Sequence, residues 1–306
     1  SDWHGQASIT ADGAPLASVS ATYGQTNGGR RFTFNGNGAF EAFLPQSVRA
    51  LASGTTSFDV AGSLPAKGGL SLDRASLRSG SVEANAAGAI DPSGNSDFHA
   101  DLAALDQTVT ISVPGGLDLS LSRADVKVSG PAGHASLAAE AELSALDTPQ
   151  ASLNAVRVSL SSADFDVGKR AGTVGVALSA DGASSPDPWI EPLLTGAIQG
   201  KAKLAVSPGS VAIRMADLGS AATRLSVTGT LDPAAGTLAL DVSADIASAA
   251  LPEKLRPAVG QRSAVTASVR RSADGAFSAD EVKLASAGLT ADGSSQIGGG
   301  NVKVRL

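Results

Sequence analysis

The side chains best suited to chemistry in this sequence are its histidines and the carboxylates near them. His99 lies between Asp97 and Asp101, residue types that serve in general base catalysis and in metal binding. His4 and His134 lie far from this cluster along the chain, so no spacing typical of metal ligands emerges. The chain has no cysteine and therefore no thiolate nucleophile or thiolate metal site. We interpret His99 as a solvent-facing residue of a strand.

Two pairs of carboxylates recur at strand spacing rather than in a catalytic motif. Asp241 and Asp245 lie on the wet side of one alternating segment, and Glu140 and Glu142 on that of another. Solvated carboxylates explain both pairs better than an acid and base pair does. The sequence contains no G-x-S-x-G, H-E-x-x-H or P-loop motif. We therefore predict that the protein is not an enzyme and has no cofactor or metal.

The elements that carry these residues alternate between apolar and polar side chains. From Thr237 the sequence TLALDVSADI places Leu and Val on one side and Asp and Ser on the other, and GLDLSLS from Gly116 does the same. This period of two is typical of strands with one apolar and one solvated face. Gly-rich and Pro-rich turns separate the segments by roughly 8–15 residues, as in an antiparallel meander. The pattern predicts an all-β, extended and curved antiparallel sheet.

One unit of this pattern returns along the chain. An offset of 207 residues pairs Leu44-Pro45 with Leu251-Pro252 and Arg49 with Arg256. A third copy begins near Pro188. Such recurrence predicts growth by similar elements. We expect one continuous repeat-built domain over 1–306, a fragment of a longer chain, with repeat units at about 44–100, 188–246 and 251–306.

A short helix is predicted at the head of each repeat, where Pro near the start suits a first helical turn. The three predicted helices are Leu44–Ser53, Trp189–Thr195 and Leu251–Val259.

The bulk composition excludes some classes of partner. The chain has 306 residues, a net charge of −6 and a sequence pI of about 5.1, which does not favour nucleic-acid binding. Aromatic residues make up only 4%, so the apolar surface must come mainly from Leu, Val, Ile and Ala. No run of about 18 apolar residues predicts a membrane-spanning helix.

The apolar sheet face allows three interpretations. Two sheets can close on each other as a dry sandwich or solenoid core. The sheet can instead curl into an open trough that holds a long hydrophobic ligand. Alternatively, the chain can stack as a β-helix and use its outer surface for adhesion. Composition and periodicity do not decide among these three.

The sequence resembles the TamB group of the AsmA-like superfamily of Gram-negative bacteria. The resemblance lies in the segments LPQSVRALASG at 44–54, ADLGSAATRLSVTGTLDPAAG at 216–236 and LPEKLRPAVG at 251–260. It extends over most of the chain, although its motifs are simple. It implies a long, curled β-sheet with a hydrophobic groove, called a β-taco. The C-terminal domain typical of the group is not evident, so we expect this chain to be an internal fragment.

The resemblance also implies a function and a place. The parent chain would be anchored in the inner membrane, cross the periplasm and partner an outer-membrane barrel protein of the TamA type. It would conduct or shield phospholipid acyl chains between the inner and outer membranes, and it would have a second role in outer-membrane protein assembly. The groove-lining residues expected on this basis are Leu117, Leu119, Leu121, Leu225, Val227, Leu238, Leu240, Val242 and Ile246.

Two alternatives stay open at this point. The first is a structural or adhesive β-solenoid with a closed core, like the passenger of an autotransporter. The second is a polysaccharide-active β-helix enzyme, which needs an exposed cluster of carboxylates or aromatic side chains. The scarcity of aromatic residues argues against the enzyme.

Overall fold

The computed structural model describes residues 2–11, 14–41, 44–113, 116–254, 256–296 and 299–305. Strands make up 69% of the structure and helices 6%. The strand pairings are antiparallel, and the sheet is not closed. The prediction of an all-β antiparallel fold with a few short helices is therefore confirmed.

The chain forms two compact units. Unit 1 comprises residues 1–149 and 163–167. Its strands pair in the order β1-β2-β3-β4-β5-β6-β7-β9-β10, and β8 pairs with the first part of β9. The strands are β1 (Trp3–Ala11), β2 (Ala14–Thr26), β3 (Gly29–Gly38), β4 (Thr56–Pro65), β5 (Leu70–Arg78), β6 (Val82–Ile90), β7 (Asn95–Ala104), β8 (Val109–Val113), β9 (Leu117–Pro131) and β10 (Ala135–Asp147).

Unit 2 comprises residues 150–162 and 168–306. Its strands pair in the order β12-β14-β15-β16-β17-β18-β19-β20-β21, and β13 pairs with the start of β11. The strands are β11 (Ser152–Asp166), β12 (Ala171–Ala180), β13 (Gly182–Ser184), β14 (Ile198–Ser207), β15 (Ser210–Gly219), β16 (Thr223–Asp232), β17 (Thr237–Ala247), β18 (Arg262–Arg271), β19 (Phe277–Ser286), β20 (Thr290–Gln296) and β21 (Gly299–Arg305). The last residues of β11, 163–166, belong to unit 1.

Short helices precede three of the strands, as the sequence predicts, and each is shorter than its predicted segment. The first short helix (Gln46–Ala52) and the second (Glu191–Leu194) are 3₁₀ helices, and the third (Arg256–Val259) is one α-helical turn. A further 3₁₀ turn spans Ser248–Ala250. Helices this short need packing to be stable.

The same guanidinium bond holds the chain at the first and third short helices. Arg49 donates from Nε to the Leu44 carbonyl oxygen at 3.1 Å, and Arg256 donates from Nε to the Leu251 carbonyl oxygen at 2.9 Å. These partners are the residues that the 207-residue offset pairs in the sequence.

That one continuous domain extends over residues 1–306 remains a prediction.

Three hairpins repeat one backbone course in detail. Gly68, Gly209 and Gly275 occupy equivalent turns with φ of 93°, 78° and 87°, a left-handed backbone that suits glycine. A β-bulge follows each turn, at 73–74, 214–215 and 280–281, where the register shifts. Without a bulge, one extra residue in a strand would move every later side chain to the opposite face of the sheet. A bulge leaves the extra residue unpaired and so restores the original alternation. The repeated bulge therefore keeps the apolar residues before and after it on one face.

Strand register assigns the side chains of each unit to two faces. In unit 1, Ala21, Phe34 and Val60 are opposite one another on β2, β3 and β4. In unit 2, Val227 is opposite Val242 on β17. We call these surfaces the apolar face of unit 1 and the apolar face of unit 2, and the reverse sides the polar faces.

Candidate functional site

Six of the predicted groove residues lie together on the apolar face of unit 2. Val227 pairs with Val242, and Leu240 pairs with Val269 on the next strand. All six are half-buried rather than fully enclosed. The six are Leu225, Val227, Leu238, Leu240, Val242 and Ile246.

The other three predicted residues, Leu117, Leu119 and Leu121, lie on β9 in unit 1. They are opposite Val113, Ile111 and Val109 of β8. Leu121 is buried, whereas Leu117 and Leu119 are half-buried. Leu121 therefore contributes to local packing at this point, and its two neighbours are the more accessible members of the predicted set.

Aromatic side chains form much of the apolar face of unit 1, and sequence reasoning missed them. The ring of Phe32 lies over Gly62, the ring of Phe58 over Gly36 and the ring of Phe98 over Gly88. A Cβ at any of these glycines would collide with the ring above it. The absence of a side chain at each glycine therefore makes room for the ring of the neighbouring strand.

Large apolar side chains on the apolar faces of both units remain exposed to solvent. In unit 1 their exposed fractions run from 36% to 58%, and in unit 2 from 38% to 41%. Such side chains are normally removed from water in a closed core. The unit 1 residues are Trp3, Ile9, Phe34, Leu64, Leu77, Ile90 and Val126, and the unit 2 residues are Leu218, Leu231 and Phe277.

The end of each sheet beside the short helices is the best-packed part. In unit 1 the first short helix packs against β8, and Thr56 and Val82 nearby are buried. Ser79 donates to the Leu51 carbonyl oxygen at 2.8 Å and accepts the Ser81 and Val82 amides. The serine thus joins the helix to the β5–β6 turn.

Ser220 repeats this bond in unit 2. It donates to the Leu193 carbonyl oxygen at 2.7 Å and accepts the amides of Ala222 and Thr223. Ile198 and Ser263, which follow the second and third short helices, are both buried. In both units the helices therefore pack one end of the sheet.

Charged side chains on the polar faces form ion pairs and hydrogen bonds with one another. Arg74 donates to Asp59 at 2.6 Å, and this bond holds the pKa of Asp59 below its usual value. His99 lies 2.6 Å from Asp125, whose pKa is lowered mainly by that hydrogen bond. The His99 side chain is about half exposed, which confirms it as a solvent-facing strand residue.

The acidic pairs predicted from the sequence also lie on the polar faces. Asp241 accepts a hydrogen bond from Ser268 at 2.8 Å, and Asp245 pairs with Arg262. Glu140 is opposite Asp125, and Glu142 is opposite Arg123, which places both carboxylates on the polar face of unit 1. Within the described ranges no group of three or more His, Asp or Glu side chains is arranged to hold a metal ion.

Two shallow depressions lie on the polar faces, and the one in unit 2 lies behind the predicted groove residues Val227 and Val242. One of about 590 Å³ lies in unit 1 and one of about 340 Å³ in unit 2. Serine, threonine, asparagine, glutamine and charged residues make up most of the residues that line them. Representative lining residues are Gln6, Ser20, Asn35, Asn37 and Asp59 in unit 1, and Ser226, Asp241, Thr266, Ser268 and Lys283 in unit 2.

Two further comparisons concern membrane-spanning helices and similarity to known proteins. Among the residues with described structure, no helix is both long and apolar enough to cross a membrane. Comparison of the chain with protein-family models, with curated proteins and with solved structures found no match. The resemblance to the AsmA-like superfamily therefore remains a sequence-based prediction.

Proposed function

We propose that the apolar faces bind phospholipid acyl chains, and that the chain is a segment of a periplasmic lipid-conducting sheet. The observation that carries this proposal is the incomplete burial of large apolar side chains on faces that alternate cleanly with polar ones. Monomeric proteins rarely expose contiguous apolar patches of large area, and such patches are common at binding sites. A non-catalytic binding role fits the carboxylates, which lie in polar-face pairs.

The chemistry of the faces suits a mobile apolar ligand. Each acyl CH₂ group removed from water contributes about 0.8 kcal/mol without any directional bond. In unit 1 the rings that cover Gly36, Gly62 and Gly88 add apolar contact area without a polar group. In unit 2 the apolar face is made mainly of aliphatic side chains, such as Val227 and Leu240. Because contacts of this kind have no preferred direction, we expect an acyl chain to slide along both apolar faces.

Following the resemblance, we further propose that the parent chain is anchored in the inner membrane and contacts an outer-membrane barrel protein of the TamA type. Its cargo would be phospholipid moving between the two membranes, with outer-membrane protein assembly as a second role. The structural or adhesive solenoid with a closed core remains the competing proposal. Exposure of Phe34, Val126 and Leu231 favours the open face over that closed core.

Lipid co-purification tests the proposal. We would express the chain in a bacterial periplasm and measure bound phospholipid by native mass spectrometry and lipid extraction. Leu240→Glu and Val227→Glu place charge on the apolar face and should reduce bound lipid at least tenfold. The matched controls Ala239→Glu and Thr228→Glu change the neighbouring polar-face positions and should retain lipid.

The competing outcomes are distinct. Folded wild-type protein free of lipid would contradict the proposal and favour a closed structural sheet. Equal lipid loss in apolar-face and polar-face variants would show that lipid binds elsewhere. Circular dichroism and thermal unfolding of every variant separate loss of binding from loss of fold.

A further inference from the structure

Among the described and paired strand positions, the apolar face of each unit carries one charged residue, an arginine. In β1–β10 of unit 1, Arg30 is the one charged side chain that the described register assigns to the apolar face. In β12 and β14–β19 of unit 2, the described register gives the same place to Arg271. No carboxylate shares the apolar face with either arginine at these paired positions. A lone cation on an apolar surface calls for an explanation.

Both arginines lie in comparable surroundings at hairpin ends. Arg30 is opposite Leu64, and Arg271 lies 207 residues after Leu64, at the equivalent position of the repeat. The guanidinium of Arg30 lies 6.0 Å from the centroid of the Tyr23 ring, and that of Arg271 lies 5.5 Å from the centroid of the Phe277 ring. An aromatic ring within this distance attracts the cation and orients it.

Neither guanidinium is neutralised within the described part of the chain. Arg74, Arg78 and Arg262 on the polar faces each pair with a carboxylate, whereas Arg30 and Arg271 form no ion pair with a described residue. Both side chains are exposed. Their donors are therefore available to an anion that approaches over the apolar face.

The surrounding surface restricts the kind of anion. Exposed apolar side chains lie close to each arginine: Leu64 is opposite Arg30, and Phe277 is opposite Arg271. A ligand complementary to this combination has one negative charge joined to a long apolar tail. A phosphodiester headgroup meets the requirement, because its two free oxygens match the donor fork of a guanidinium.

We propose that Arg30 and Arg271 each bind the headgroup phosphate of a phospholipid whose acyl chain lies on the adjoining apolar face. This inference rests on the proposed function and adds the headgroup to it. Tyr23 beside Arg30 has a ring suited to the apolar tail and a hydroxyl suited to the headgroup level. The net charge of −6 repels anionic lipid overall, so selectivity for an anionic headgroup must come from local cations such as these.

The two arginine doublets supply matched controls for a binding experiment. Arg30 and Arg271 lie on apolar faces, whereas their chain neighbours Arg31 and Arg270 lie on polar faces. The test compares the double variant Arg30→Leu/Arg271→Leu with Arg31→Leu/Arg270→Leu in the full chain. Both double variants remove the same charge, and Leu is already the residue at the equivalent position Leu64.

Binding is measured by native mass spectrometry against three probes. These are dioleoyl phosphatidylglycerol and dioleoylglycerol, each in neutral detergent micelles, and inorganic phosphate alone. We expect the apolar-face double variant to bind phosphatidylglycerol about tenfold more weakly and dioleoylglycerol as well as wild type. The polar-face double variant should bind both lipids like wild type. The double variant Arg30→Lys/Arg271→Lys should retain part of the affinity, because lysine keeps the charge and lacks the forked donors of a guanidinium.

Each contrary result has a separate meaning. Unchanged phosphatidylglycerol binding in the apolar-face double variant, or equal weakening in both double variants, overturns the headgroup assignment. Binding of inorganic phosphate as tight as that of the lipid also overturns it, because the tail would then contribute nothing. If wild type binds neither lipid, the proposed function itself fails. Thermal unfolding of both variants checks that the fold is intact.

Discussion

Two buried serines show how position decides the contribution of one residue type. Ser79 uses its hydroxyl fully, because it donates to the Leu51 carbonyl oxygen and accepts two amides. Ser263 lies buried on the apolar face of unit 2, and its hydroxyl has no hydrogen-bond partner within the described structure. Burial of a polar group is unfavourable unless a hydrogen bond compensates for the lost water. The two serines should therefore respond oppositely to loss of the hydroxyl.

Ser79→Ala should lower the free energy of unfolding by about 1–3 kcal/mol, because it leaves the Ser81 and Val82 amides without their acceptor. Urea denaturation of the variant against wild type measures this. Ser57→Ala is the control, since the Ser57 hydroxyl is exposed and makes one long bond of 3.4 Å. A loss below 0.5 kcal/mol (roughly the surface-substitution range) for Ser79→Ala would contradict the assigned role of the hydroxyl.

Ser263→Ala should leave the free energy of unfolding unchanged or raise it by up to about 1 kcal/mol, because it removes a buried and unpaired hydroxyl. The equivalent buried position after the second short helix is already apolar, at Ile198. The same urea titration measures the effect. Destabilisation by more than about 1 kcal/mol would show that the hydroxyl has a partner in solution.

Asp91 gives the protein an acid-sensitive turn. Hydrogen bonds from Ser93 and Asn95 lower its pKa from the usual 3.8 to about 2. Because the folded pKa lies below the unfolded one, the stabilisation is complete above the unfolded pKa and is lost as pH falls through the folded pKa. Wild type should therefore be more stable than Asp91→Ala at pH 6, and the difference should vanish as pH falls from about 4 to about 2.

Denaturant titrations across this pH range check the Asp91 prediction. Asp97→Ala removes a carboxylate from the polar face of the same unit and serves as the charge control. A stability difference that persists unchanged at the lowest pH would contradict the role of the charged carboxylate. The role would also be contradicted if Asp91→Ala and Asp97→Ala lost the same amount of stability relative to wild type at every pH.

At the scale of the element, the repeated hairpins depend on left-handed glycines. Gly209 has φ of 78° and open space around its Cβ position, so only the backbone conformation opposes a side chain there. Gly133 also lies in an open turn, but without that left-handed backbone. A comparison of the two glycines therefore isolates the effect of the left-handed backbone, because a Cβ meets no steric collision at either position.

Gly209→Ala should lower the free energy of unfolding by about 1–2 kcal/mol, the cost of a left-handed backbone for a residue with a Cβ. Gly133→Ala should be neutral or stabilising by up to about 1 kcal/mol, because it restricts the unfolded chain. Thermal and urea unfolding of the two variants measure the contrast. Equal effects of the two substitutions would contradict the role assigned to the turn.

Much of this element structure is predictable from sequence, and the reasons are local. Period-two alternation in TLALDVSADI gives β17, and the Leu-Pro segments locate the first and third short helices. Even the bulge at Asp73–Arg74 has a signal, since two adjacent polar residues interrupt the alternation of β5. The pairing of rings with glycines cannot be predicted from the sequence of a single strand, because Phe32 contacts Gly62 only through the register of β3 with β4.

At the scale of the whole molecule, each unit separates an apolar face from a polar one over many strands. Sequence alternation predicts this separation and places six of the nine predicted groove residues on one face of unit 2. It does not predict how far the face is buried, because burial depends on what covers a sheet. The exposed fractions of Phe34, Leu64 and Leu231 supply that missing information and lead to the proposal of a lipid-binding face.

Site-specific photocrosslinking tests the central claim most directly. A benzophenone amino acid is introduced singly at Val227 or Val242 on the apolar face, and at Thr228 or Ser243 on the polar face. After irradiation in cells labelled with radioactive phosphate, we expect labelled phospholipid to be crosslinked to the protein at the apolar-face positions and not at their polar-face neighbours. Equal labelling of both faces, or labelling of the polar face alone, would contradict it.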